Sequence, residues 1–152
     1  MTGMMIHFIC RGNSFRSIIA EAYINSLKSE QLKAMSSGTA AAVDKSGNLA
    51  AYTGTLDLLA KNGICEFAKV GYGDQLTQSR LDGADLVICM NQRVYDECQH
   101  LVGLPAGTRI WSVDDIGEPG RVAHTEDGKT RCLEEAYLQI VDGVGQLITE
   151  LS

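Results

Sequence analysis

Apolar positions arrive along this chain in two rhythms. Continuous short runs, over 4–9 (Met-Met-Ile-His-Phe-Ile) and 86–90 (Leu-Val-Ile-Cys-Met), have the character of parallel strands covered on both faces. Between and after them apolar residues recur at helical spacing. The spacing predicts a helix over 17–27, with Ile19, Tyr23 and Leu27 in line, and a second over 49–62, with Leu56, Leu59 and Ala60 facing inward and Gly63 as its stop. A third is predicted over 92–101. The last runs over 130–151, with Leu133, Ala136, Tyr137, Ile140, Val144, Leu147 and Ile148 on one stripe. Short strands are expected over 35–39 and 109–113 and a helical turn over 77–81. The stretch 39–48 is small and polar and reads as loop, as does 114–128; 65–73 fits a short strand followed by a glycine-rich turn. Strand–helix alternation of this kind specifies an α/β fold. We expect one domain over 1–152, a three-layer sandwich with a central parallel sheet and helices on both faces.

The first strand leads into Cys10-Arg11-Gly12-Asn13-Ser14-Phe15-Arg16-Ser17, and this octet opens the first helix. The carboxyl end of a strand beside a helix N-terminus is where an open α/β sheet binds ligands, and helix amides there favour an anion. Gly12 and Asn13 tolerate left-handed backbone angles, so the amides of residues 11–17 can curl inward as a nest. Arg16 supplies a planar fork suited to two phosphate oxygens. The same positive potential favours the thiolate of Cys10, the nucleophilic form, and Ser17 can donate a hydroxyl hydrogen bond to it or simply cap the helix. A lone cysteine at a strand end is often inert core, and a bare Cys-x5-Arg is a weak signal. The combination of strand, Cys, Gly-Asn, Arg, Ser and helix is much rarer, and no other cysteine here has an arginine six residues on.

Composition narrows the classes. The chain has 152 residues, 45% hydrophobic and 21% charged, enough to bury a core and too apolar for disorder. A net charge of −6 and a pI near 5.0 argue against a nucleic-acid partner. No apolar run approaches a membrane span, and the N-terminus lacks a basic segment before an apolar one. Five irregularly spaced cysteines suit neither a disulfide framework nor zinc, and His7, His100 and His124 have no metal-site spacing. A thiol nucleophile wants reducing conditions, so the expected compartment is the cytoplasm, with no cofactor and no metal. Thiol attack on a phosphomonoester needs a proton donor for the leaving group. Asp114 and Asp115 follow the final strand on the same sheet edge, although acidic pairs in loops are more often solvated surface.

The octet resembles the loop of the low-molecular-weight protein tyrosine phosphatases, Cys-x-Gly-Asn-x-Cys-Arg-Ser-Pro followed by a helix with Ala-Glu. Cys10, Gly12, Asn13, Arg16, Ser17, Ala20 and Glu21 match; Phe15 stands for the second cysteine and Ile18 for the proline. Ser36-Ser37-Gly38-Thr39 is similar to the family's Ser-Ala-Gly-Thr, and 84–90 to its fourth strand, so the resemblance runs over nearly the whole chain. It implies a phosphatase working through a cysteinyl-phosphate, with Cys10, Arg16 and Asp115 catalytic and residues 11–17 (Arg11, Gly12, Asn13, Ser14, Phe15, Arg16 and Ser17) binding phosphate. Register selects Asp115 over Asp114, with Ile116 where the family has proline. The implied partners are a phosphorylated protein or a small phosphomonoester. Arg11, Ala42 and Gly117 fall where the family places an aromatic rim, and Ser14 is similar to the protein-arginine phosphatase branch. Arsenate reductase, which the same fold supports, needs redox cysteines near the nucleophile; Cys89 and Cys98 have the wrong spacing. A catalytically weak phosphate-binding module is the third reading.

Overall fold

The computed structural model describes residues 3–44, 49–113 and 126–151. Its first strand, β1 (Met4–Cys10), carries no charged side chain and is covered on both faces from Ile6 onward. That pattern places it inside the sheet, between β2 (Leu32–Gly38) and β3 (Leu86–Cys89), with β4 (Arg109–Ile110) at the far edge. All pairings are parallel, and register sets Cys10 beside Gly38 and Ile9 beside Cys89.

Side chains alternate across the pleat, so β1 feeds two cores. Ile6, Phe8 and Cys10 enter the larger one with α1 (Arg16–Ser26), α3 (Leu49–Lys61) and α6 (Glu126–Leu151), through Ile18, Ile19, Leu58, Leu59, Ile140 and Val144. Ile9 enters the smaller one with Val87 and Cys89, covered by Leu81 of α4 (Gln78–Asp82) and by Val94 and Cys98 of α5 (Gln92–Gln99). Each fully buried aliphatic side chain contributes roughly 1.5–3 kcal/mol, and the two cores make the three layers expected of the alternating pattern. Caps fix where the helices on the smaller face begin. Thr77 Oγ1 accepts from the Arg80 amide at 3.2 Å, and Asn91 Oδ1 from the Val94 amide at 3.0 Å.

Several expectations need correction. The loop predicted over 39–48 contains a four-residue helix, α2 (Ala41–Asp44), too short to leave a periodic signal. On α3 the buried residues are Thr55, Leu58 and Leu59; Ala60 is exposed and Leu56 half-buried, because the helix turns its 55/58/59 edge to the loop and core. The stretch 65–73 holds a single 3₁₀ turn, Cys65–Phe67, and no named strand. α6 begins at Glu126, so the end of the loop predicted over 114–128 is helical. Regular strand β4 is only two residues, yet the Trp111 and Val113 amides still donate to Cys89 and Met90 carbonyls at 2.8 Å each, which carries the ladder to Val113.

Candidate active site

The octet closes into a cradle on the carboxyl edge of the sheet. Cys10 ends β1 and is 2% exposed. The Asn13 amide donates to its Sγ at 3.2 Å, and Ser17 Oγ lies 2.8 Å from the same sulfur. The turn that aims the Asn13 amide inward is left-handed (φ 50°), a conformation asparagine tolerates better than most residues, so of the Gly12-Asn13 pair Asn13 takes it. Phe15 precedes α1 without a side-chain cap, and Ser17 lies inside the helix. The capping alternative for Ser17 therefore fails; its hydroxyl lies between the thiol and the Asn13 amide nitrogen instead. Phe15 and Ile18, the two departures from the family pattern, are both core side chains, 3% and 0% exposed. Phe15 can offer the cradle only its backbone. The buried Thr55 of α3 sets its Oγ1 2.8 Å from the Ser14 carbonyl and 2.8 Å from the Ala51 carbonyl of its own helix, and its one proton serves the two.

Behind the loop lies a web of buried polar groups. Asn13 Nδ2 donates to Ser17 Oγ and to Ser36 Oγ of β2, each at 2.9 Å. Ser36 Oγ donates to Glu21 Oε1 at 3.1 Å. On the other side of the amide, Asn13 Oδ1 accepts from the Asp74 amide at 3.1 Å and from Lys69 Nζ at 3.0 Å. Lys69 also reaches the Ser36 carbonyl at 3.0 Å and pairs with Asp74 Oδ2 at 2.7 Å. Burial pushes the Glu21 carboxyl above its ordinary value, an effect that Lys69 and the Ser36 hydrogen bond partly offset. Glu21 and Ser36 carried a motif match in the sequence; Lys69 and Asp74 carried no signal. A lysine in a stretch without periodicity reads as surface charge, and only the path of residues 69–76 along the end of β2 brings it here. That path is pinned by bonds from the Gly38 amide to the Asp74 carbonyl and from the Leu76 amide to the Gly38 carbonyl, both 2.9 Å. Gly38 itself is a close approach: a Cβ there would stand 2.5 Å from the Arg11 carbonyl oxygen and 2.8 Å from the Asn13 nitrogen.

Arg16 is 1% exposed, and its Nη1 donates to the Val113 carbonyl at 3.0 Å. The guanidinium thus touches the residue immediately before Asp114. Asp114, Asp115, Ile116 and Gly117 lie outside the described residues. On the opposite rim Arg11 Nε pairs with Glu97 Oε2 of α5 at 3.2 Å, and Glu97 Oε1 also accepts from Thr39 Oγ1 at 2.8 Å. Ala42 is exposed on α2. Cys89 and Cys98 are fully buried in the smaller core, on the sheet face opposite the one Cys10 enters, and none of the five cysteines forms a disulfide. His7, also fully buried, sets Nε2 2.6 Å from Ser37 Oγ; burial lowers its pKa from 6.5 to about 4.

Comparison with known proteins places this geometry. The family described as low molecular weight phosphotyrosine protein phosphatase matches residues 5–151. No curated protein matches the sequence. Among solved structures, Vibrio vulnificus Wzb in complex with benzylphosphonate superimposes with a TM-score of 0.70 at 18% identity, covering 95% of this chain and 99% of that one. A low molecular weight protein tyrosine phosphatase from Bacillus subtilis gives 0.67 at 18% identity, covering 98% and 100%. The YwlE arginine phosphatase from Geobacillus stearothermophilus gives 0.57 at 20% identity, covering 97% and 94%. At these identities the structural likeness speaks for the fold alone.

Proposed function

Since the chain belongs to the low molecular weight phosphotyrosine protein phosphatase family, we propose that it hydrolyses phosphomonoesters through a cysteinyl-phosphate on Cys10. The observation that carries this reading is the cradle itself: a thiol at a helix N-terminus, receiving one backbone amide and facing a serine hydroxyl within 2.8 Å. In the first step Cys10 Sγ attacks phosphorus and the bond from phosphorus to the ester oxygen breaks. The departing oxygen takes a proton from Asp115, whose segment starts one residue after the Arg16-bound Val113. Amides of residues 11–17 and the Arg16 fork hold the three equatorial oxygens, where negative charge is spread in the transition state. Water then attacks the thiophosphate, giving inorganic phosphate and restoring the thiolate. Arg16 in this scheme exchanges its bond to Val113 for phosphate oxygens.

Substrates are phosphorylated proteins or small phosphomonoesters, and the compartment we infer is the cytoplasm, where the thiol stays reduced. Among the described residues no helix is long and apolar enough to cross a membrane. An arsenate-reductase cycle would need Cys89 or Cys98 to reach Cys10, and their burial on the other sheet face weighs against it. Hydrolysis of p-nitrophenyl phosphate, abolished by Cys10→Ser, tests the reading; a protein that binds phosphate but never turns over would be the weak binding module. A panel of phosphotyrosine, phosphoarginine and phosphoserine peptides then assigns the substrate class, and a strong phosphotyrosine preference would contradict the rim of Arg11, Ala42 and Gly117.

A further inference from the structure

The hydrogen bonds behind the cradle have directions, and the directions form a chain. Lys69 Nζ has only protons to give, and the Asp74 amide likewise. Both point at the same atom of Asn13, at 3.0 and 3.1 Å, so that atom is the carbonyl oxygen and the amide nitrogen faces the other way. The nitrogen then donates to Ser17 Oγ at 2.9 Å. The Ser17 proton is left for Cys10 Sγ, 2.8 Å away: a thiolate has no proton to give, so toward it Ser17 is the donor. The same amide nitrogen donates to Ser36 Oγ, which passes its own proton to Glu21. Every bond in the set has a consistent donor, and the bonds run from Lys69 and the Asp74 amide through Asn13 toward Cys10 and Glu21.

We infer that Lys69 is a positioning residue for the nucleophile: it polarises and orients the Asn13 amide so that Ser17 donates to the Cys10 thiolate. Lys69 has no hydrogen bond to Cys10 in this web; it bonds Asn13 and Ser36 and acts on the thiol through Asn13 and Ser17. Its side chain is 15% exposed, so the dielectric around it is low and its charge reaches the relay with limited screening. The charged and titratable groups that face it are Asp74, paired at 2.7 Å; Glu21, attracted through the same web; Arg80, 3.9 Å from the same Asp74 oxygen; and His7, held neutral by burial. Asp74 takes up part of the lysine's charge. This fixes a sign: weakening Asp74 should strengthen the field on the relay, whereas removing Lys69 should reverse it.

This inference deepens the proposed hydrolase reading and rests on it for its catalytic meaning, but its first readout is independent of turnover. Alkylation of Cys10 by iodoacetamide at pH 6, located by mass spectrometry, reports how well the thiolate is stabilised; the reagent is neutral, so steering by charge does not enter. Lys69→Met is expected to slow Cys10 alkylation about tenfold, the scale of one charge-assisted hydrogen bond. The kcat for p-nitrophenyl phosphate should fall by a similar factor, with KM moving less than threefold. Lys69→Arg, which keeps the cation and its donors, should restore at least a third of both rates. Asp74→Asn, which keeps an acceptor for Lys69, should accelerate alkylation about twofold. Rates within twofold of wild type in Lys69→Met would overturn the inference. So would equal slowing in Lys69→Met, Lys69→Arg and Asp74→Asn accompanied by a common drop in melting temperature, which marks a purely structural role. If the alkylation rates follow the expected order while no phosphate ester is turned over, the relay stands and the hydrolase reading falls.

Discussion

The two flanks of the cradle hold it by different means. On the β2 flank, Asn13, Ser17, Ser36 and Glu21 are all nearly inaccessible and bonded to one another, and Lys69 closes the web from residues outside any regular element. On the α5 flank, Arg11, Glu97 and Thr39 form a half-exposed pair and its hydrogen bond. Burial decides what each is worth. A polar group stranded in the first setting costs its full desolvation, about 1–3 kcal/mol and more for a charge. A pair in the second competes with water and salt and contributes less than about 1 kcal/mol. The buried flank therefore sets the geometry of the thiol, and the exposed flank is free to vary with whatever the site admits.

The largest effect should come from Arg16, the buried side chain that the proposed function sets on the phosphate. Arg16→Lys keeps the charge but loses the fork, and turnover of p-nitrophenyl phosphate should fall about 10²-fold or more, the scale of losing one preorganised donor. Near-wild-type turnover would mean that Arg16 stays on Val113 throughout.

His7 probes burial beneath the same strand. Its folded pKa of about 4 lies below the ordinary 6.5, so between those values the unfolded chain binds more protons. The stability this neutral ring contributes is complete above pH 6.5 and is lost as pH falls toward 4, by ~3 kcal/mol in all. Stabilities from denaturant titrations, plotted against pH, should diverge by about that amount in total between wild type and His7→Gln across the window; parallel curves would refute the buried neutral histidine.

Gly38→Ala tests how closely the web fits. Both atoms the new Cβ would meet are backbone of the cradle, which cannot swing aside as a flexible side chain could. Overpacking of this kind costs about 1–3 kcal/mol, and kcat should fall with it because Asn13 is displaced from Cys10. Unchanged turnover would show that the cradle gives way without loss of alignment.

The smallest effect belongs to the exposed flank. Glu97→Gln should change stability by less than about 1 kcal/mol, and the change should shrink further in high salt. A loss as large as that of Gly38→Ala would erase the distinction between the flanks.

The sequence by itself determined the parallel α/β fold, the position of Cys10 at the end of an uncharged buried strand, and the presence of Asn13, Arg16 and Ser17 in one octet that runs into a helix. These are local facts: hydrophobic period, a residue that accepts positive φ, and an octet that bends within itself. The bonds that Asn13 and Ser17 make to each other, to Cys10 and to Ser36 were legible for the same reason, since those partners sit within the loop or on the adjacent strand. What the tertiary structure alone decided is everything that reaches the loop from a distance. The edge of α3 that carries Leu58 and Leu59 faces the core and sets Thr55 Oγ1 2.8 Å from the Ser14 carbonyl, 41 residues away in the chain. Lys69 and Asp74 arrive 56 and 61 residues after Asn13, from a stretch whose composition promises only a turn. A charge's partner is chosen by how the chain is packed against itself, and no window of neighbouring residues contains that choice.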